Sequence, residues 1–331
     1  MITRLFFSAV AAASVAVLAP SAASAAAGPV VQPLATSPAE QQAVLDYWTP
    51  DRLSALTQPS SDNPPKAGPD GAPWTQPAPT VGRLFFTDHG EDVSCTATVV
   101  DSANRSTIVT AGHCVNNTDL IGEHNAWNTH SLFIPGYHDG QAPYGKFVAR
   151  AGVADATWLQ NDQINAQKFD SYDQAFVVLN AGADGHLVQD TVGAAQHLGF
   201  DLPGDADVHQ FGYPRAASDP AREGLPEYTG ARLAFCHGPA RHWPGTPDAP
   251  DSADQWGTAC VMGGGSSGGP RLRDFDPATG LGTVVGDNTH AGFFDASGKP
   301  CTSADGCTRY LVGPQFSEAV TKPLYEAAQH A

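Results

Sequence analysis

The chain is poor in positive charge. Seventeen lysines and arginines stand against thirty-four aspartates and glutamates, a formal net charge of −17 over 331 residues. That balance argues against nucleic acid or an anionic membrane as partner, because both attract basic surfaces. Beyond residue 27 no stretch is long and apolar enough to span a bilayer. From Val81 onward long helical periodicity is missing until the C-terminus, and no internal repeat is visible in the chain. Cysteine is scarce, at six.

What is present begins with MITRLFFSAVAAASVAVLAPSAASAAA. Arg4 gives a positive start, Leu5 to Leu18 an apolar core, and Ala23-Ser24-Ala25 and Ala25-Ala26-Ala27 offer small-residue cleavage sites. Residues 1–27 read as a secretory signal peptide, too short and too rich in alanine for an anchor. The mature product is expected to be secreted, extracellular and soluble.

Residues 28–80 have a texture of their own. In SPAEQQAVLDYWTPDRLSAL, Ser37 is an N-cap, Pro38 suits the first helical position and Glu40 completes a capping box. Val44, Tyr47 and Trp48 share a helical face, and Thr49-Pro50 starts a second short helix. Seven prolines then fall between residues 58 and 80, the composition of an extended linker. A helical hairpin followed by such a linker suits either a propeptide or a permanent N-terminal arm.

From Val81 onward the chain is a series of short β-rich runs: RLFFT, CTATVV, STIVT, FVARAGV, AFVVL, ARLAF and GTVVG. Gly, Pro, Asp and Asn separate them, which predicts an all-β sandwich or barrel. SEAV and PLYEAAQH near the end suit a short terminal helix.

Three segments carry chemistry. TVVDSANRSTIVTAGHCV puts His113 between Gly112 and Cys114, FDSYDQAFVVL puts Asp173 at the head of an apolar strand, and GGGSSGGP sets Ser267 among glycines. The order His, Asp, Ser resembles that of chymotrypsin-type peptidases and differs from subtilisins and α/β-hydrolases. Residues 81 to about 328 resemble the trypsin-like serine peptidases, and in particular their secreted bacterial branch, which includes glutamyl-endopeptidase-like enzymes. The resemblance implies two six-stranded antiparallel β-barrels, about 81–195 and 196–315, with the active site in the cleft between them. It implies His113 as general base, Asp173 as the carboxylate that orients it, and Ser267 as nucleophile. The amides of Gly265 and Ser267 would form the oxyanion hole. Ser266 is the rival nucleophile, but only Ser267 fits Gly-x-Ser-Gly-Gly-Pro. Asp170 and Asp162 are the rivals of Asp173.

The resemblance also implies a pairing of Cys95 with Cys114 around the histidine loop. Cys301 and Cys307 enclose a short loop and pair most simply with each other, which leaves Cys236 and Cys260. Zinc held by Cys236, His237, His242 and Cys260 is the rival reading; its spacing is irregular and the compartment oxidising, so no metal is expected.

The substrate pocket is expected around Val261 and Met262, six and five residues before Ser267, and around Asn288, Thr289 and His290. No candidate for the pocket base, Thr258 and Ala259 included, is acidic. The expected activity is hydrolysis of peptide bonds through an acyl-enzyme. It needs no cofactor and is expected from a monomer acting on peptides or proteins. The alternative is a non-catalytic binding protein on the same fold. An α/β-hydrolase would need its acid and histidine after the serine, where only sixty-four residues remain.

Overall fold

In the computed structural model the described residues are 28–57, 68–117, 126–160, 170–215, 225–244, 254–301 and 306–331. Residues 1–27, residues 58–67 of the proline segment and Asp162 lie outside them.

Six strands close the first barrel: Val81–Asp88, Glu91–Val99, Thr107–Thr110, Thr129–Pro135, Phe147–Asp155 and Ala175–Leu179. The first two are joined by a tight hairpin. His89 and Gly90 between them both have positive φ, 45° and 90°, the backbone that matches the twist of paired strands. The turn fixes the register, so Arg83 lies opposite Thr96 and Leu84 opposite Cys95.

Strand Val81–Asp88 is apolar on both faces for a structural reason. Leu84 and Phe86 point into the barrel with Cys95, Ala97 and Phe133. Val81 and Phe85 belong to a second cluster outside it, with Trp48, Leu53 and Leu56. The N-terminal residues therefore cover the outer wall. Pro29–Pro33 pairs antiparallel with the second half of Phe147–Asp155, and helices Pro38–Tyr47 and Pro50–Ala55 follow. The first helix carries the capping box of Ser37 and Glu40.

The second barrel is built from two sheets. Leu281–Asp287, Pro270–Asp276, Asp207–Gly212 and Ala234–Pro239 pair in that order, with Ala72–Pro73 at one edge. Arg241–Trp243, Gln255–Ala259, Thr308–Pro314 and His290–Phe294 form the other. A bridge from Gly286 to Gln315 joins them at one seam. Helix Thr321–His330 returns to the first barrel, where Tyr325 packs on Phe176. Disulfides link Cys95 to Cys114, Cys236 to Cys260 and Cys301 to Cys307. Cys236 and Cys260 thus offer no thiolate to zinc. Among the described residues no helix is long and apolar enough to cross a membrane.

Candidate active site

Strand pairing brings the histidine and the aspartate together. Ala175 pairs with Thr110, so the residues just after one strand meet those just before the other. His113 follows Thr110 in a 3₁₀ turn, Gly112–Cys114, and Asp173 precedes Ala175. The Asp173 carboxylate accepts the His113 backbone N–H at 2.8 Å and lies 2.8 Å (Oδ2) and 3.1 Å (Oδ1) from the imidazole Nδ1. Three contacts on one carboxylate fix both the ring and its loop. The approach is close at Gly112, where a Cβ would sit 3.0 Å from Asp173 Oδ1 and 3.1 Å from the Trp158 ring, so a side chain there would need its neighbours to shift by a few tenths of an ångström. Asp173 is buried, while His113 keeps a quarter of its side chain open, at 24%.

The serine loop is anchored on the first barrel by one residue, Thr96. Its N–H donates to the Ser267 carbonyl at 2.8 Å, and its hydroxyl donates to the Gly265 carbonyl at 2.9 Å. The same hydroxyl accepts the N–H of Tyr213 at 2.9 Å. A Cβ on Gly268 would run into the Thr110 hydroxyl and the Ala111 amide. The loop therefore lies against the strand end that carries His113. Five successive amides behave differently. Those of Ser266, Gly268 and Gly269 donate to Gly263, Asn288 and Ser266. Those of Gly265 and Ser267 donate to no described residue. Ser266 is buried and its hydroxyl donates to the Gly263 carbonyl at 2.5 Å, whereas Ser267 is half-buried.

The remaining sequence-derived pocket residues separate into two groups. Val261 and Met262 are fully buried, and residues before the barrels lie on them. A Cβ on Gly68 would be 2.8 Å from Val261, and the Val261 N–H donates to the Pro69 carbonyl. Asn288 is also fully buried, with its amide donating to the Phe211 and Ser266 carbonyls and accepting from Gln210. Thr289 and His290 are half-buried, with the Thr289 hydroxyl 2.9 Å from His290 Nδ1. His290 Nε2 lies 3.7 Å from Asp170, the residue three before Asp173.

Charge is closely balanced here. Burial works against protonation of His113, but the charge and hydrogen bond of Asp173, with Asp88 beyond, outweigh it and raise its pKa. Burial, with the neighbouring Asp173 charge, raises the Asp170 carboxyl to about 8. Burial lowers His290 to about 4. Asp287 is fully buried; desolvation and Asp173 push it well above the carboxylate range, with Arg271 acting in the opposite direction. Desolvation disfavours the charged form of both Asp170 and Asp287.

Thr96 has a signal that sequence reading missed. Along Glu91–Val99 one face carries Cys95, Ala97 and Val99, and the other carries Ser94, Thr96 and Thr98. All three of these small polar residues are buried. Of the three, Thr96 bonds the loop backbone, Ser94 accepts from the Arg83 side chain, and Thr98 Oγ1 has no partner among the described residues.

No protein-family model and no curated protein matches the chain. Among solved structures it is similar to the protease Anisep from Arthrobacter nicotinovorans, at 30% identity, TM-score 0.60, over 78% of this chain and 98% of that one. The chain belongs to the chymotrypsin-fold serine proteases. A thermostable serine protease AL20 from an extremophilic microorganism matches at 28% identity and TM-score 0.58, covering 77% of this protease and 99% of that chain. A Glu endopeptidase matches in fold at 16% identity and TM-score 0.53, over 79% and 98%. This protease is accordingly an enzyme of the serine endopeptidase class, a hydrolase.

Proposed function

We propose that the protein is a secreted endopeptidase that cleaves peptide bonds through an acyl-enzyme, with Ser267, His113 and Asp173 as its triad. The observation that carries this reading is the Asp173 carboxylate bound at once to the His113 ring and backbone, next to a serine loop with two amides that donate to no described residue. Ser267 Oγ attacks the carbonyl carbon while His113 Nε2 takes its proton. The oxyanion is held by the N–H groups of Gly265 and Ser267, each worth about 3 kcal/mol in the transition state. His113 then gives its proton to the leaving amine, the C–N bond breaks, and water attacks the ester by the reverse route. Asp173 keeps Nδ1 protonated so that Nε2 faces the serine. Residues 1–27 are removed on export in this reading.

The pH dependence has a fixed sign. Only the neutral imidazole accepts the serine proton. His113 is raised above its ordinary 6.5, because Asp173 outweighs burial. Activity is therefore lost as pH falls through a value above 6.5. The check is log kcat/KM from pH 5 to 9; a flat profile would count against His113 as base.

Specificity follows from what lines the pocket. Recognition of Lys or Arg requires a buried anion, since an unpaired buried cation is costly. Val261 and Met262 supply none. Asp287 is fully buried and desolvation raises its carboxyl, which disfavours the charged form, and burial raises Asp170 to about 8. No tryptic preference is expected. Matched peptides differing only at the residue before the scissile bond test this. A hundredfold advantage for Arg or Lys over Leu, Phe and Glu would refute it.

A further inference from the structure

Arg83 is a buried charge with no carboxylate paired to it among the described residues. Its side chain is fully buried, and no acidic group lies within ion-pair distance of it among the described residues. The guanidinium donates to the Leu56 carbonyl and to the Ser94 hydroxyl, the latter at 2.9 and 3.1 Å. It also lies over the Phe85 and Tyr137 rings, at 4.7 and 5.3 Å. Its Nη1 has no hydrogen-bond partner among the described residues. Burial, and the nearby Arg215, lower its pKa to about 10, with Tyr137 working the other way. Leu56 closes the second N-terminal helix, so the carbonyl that Arg83 uses comes from the segment before the barrels.

Arg83 is also next to the catalytic loop. It sits directly across the strand pair from Thr96, which holds the Gly265 and Ser267 carbonyls. On its other side lies Gly230, where a Cβ would be 2.7 Å from Arg83 Nη2 and 3.0 Å from Arg215 Cγ. The Gly230 N–H donates to Pro214, and the Arg215 N–H donates to Gly264 in the serine loop. Two routes thus run from the Leu56 carbonyl through Arg83 to the loop.

The N-terminal segment has the burial of an integral part. Trp48, Leu53 and Leu56 are buried at 1–5% exposure, in one cluster with Phe85, Leu132 and Ile134 of the barrel wall. Trp48 Nε1 donates to the His130 carbonyl at 2.5 Å, and Arg52 pairs with Asp92 at 2.6 Å. Loss of this segment would expose a contiguous apolar patch and strip a buried cation of a main acceptor.

We propose that residues 28–57 stay in the working enzyme as a docked clasp, and that Arg83, held by the Leu56 carbonyl, is a positioning residue for the oxyanion loop. The second half rests on the triad reading above; the first does not. Cleavage within 58–67 would give a two-chain enzyme, not a shorter one.

The test uses the full chain carrying a recognition sequence for an exogenous site-specific protease inserted between residues 58 and 67. After cutting, residues 28–57 should co-elute with the remainder under native conditions, with kcat kept within about twofold. Arg83→Met should lower kcat roughly 10- to 100-fold with KM within about threefold, because small shifts of catalytic groups carry costs of that order. Arg83→Lys should recover part of the loss, since an ammonium can still donate to Leu56 and Ser94. If Arg83→Met does not fold, the cut chain alone decides. Release of residues 28–57 with kcat unchanged, or an active secreted enzyme lacking them, would overturn the proposal. So would a folded Arg83→Met with wild-type kcat. Failure of the triad reading has another signature: hydrolysis that survives in Ser267→Ala.

Discussion

Ser267→Ala should lower kcat about a millionfold, the scale seen when a serine nucleophile is removed and only oxyanion binding remains. Ser266→Ala should keep most of the activity. The two serines differ in surroundings, not in chemistry. Ser266 is 1% exposed and its hydroxyl is committed to the Gly263 carbonyl. Its loss removes one loop hydrogen bond, a cost of about 1 kcal/mol in stability. Ser267 is half-buried, and its hydroxyl makes no hydrogen bond with a described residue. A fluorophosphonate probe followed by peptide mapping reads the assignment directly. An adduct on Ser266, or no adduct on the mature secreted enzyme, would refute it.

Asp173→Asn should lower kcat about ten-thousandfold, the scale of loss when the orienting carboxylate of a trypsin-type triad becomes an amide. The amide can accept the His113 backbone N–H, but its NH₂ would favour the imidazole tautomer with the proton on Nε2. That tautomer cannot accept the serine proton. The same change removes the negative charge that raises His113, so the acid limb of log kcat/KM should move to lower pH. A loss of activity with the limb unmoved would assign Asp173 a scaffold role only. Asp170→Asn is the control. Burial raises Asp170 to about 8, which disfavours its charged form near neutral pH, so this variant should move the limb far less than Asp173→Asn.

The double-barrel fold was legible because each strand is a short β-rich run closed by turn residues, and because His113, Asp173 and Ser267 each stand in a local motif. Local motifs survive reading one residue at a time. Relations across the fold do not. The apolar run Leu84-Phe85-Phe86 announces a strand covered on both sides, yet nothing in it says that Trp48 and Leu53 are the cover. Thr96 is one threonine among many until its partners, 169 and 117 residues away, are known. Asn288 illustrates the limit of alternation. A strand pattern assigns its side, but only the sheet packing shows that its amide is taken up by Gln210, Phe211 and Ser266.

The Cys95–Cys114 bridge has a consequence for where this enzyme can work. Cys95 immediately precedes Thr96, the anchor of the serine loop, and Cys114 immediately follows His113. One covalent bond therefore ties the mooring of the serine loop to the loop that carries His113. In a reducing compartment both moorings lose the same tether together. Reduction of this one bond would leave the His113 loop and the Thr96 anchor of the serine loop without a covalent link to each other.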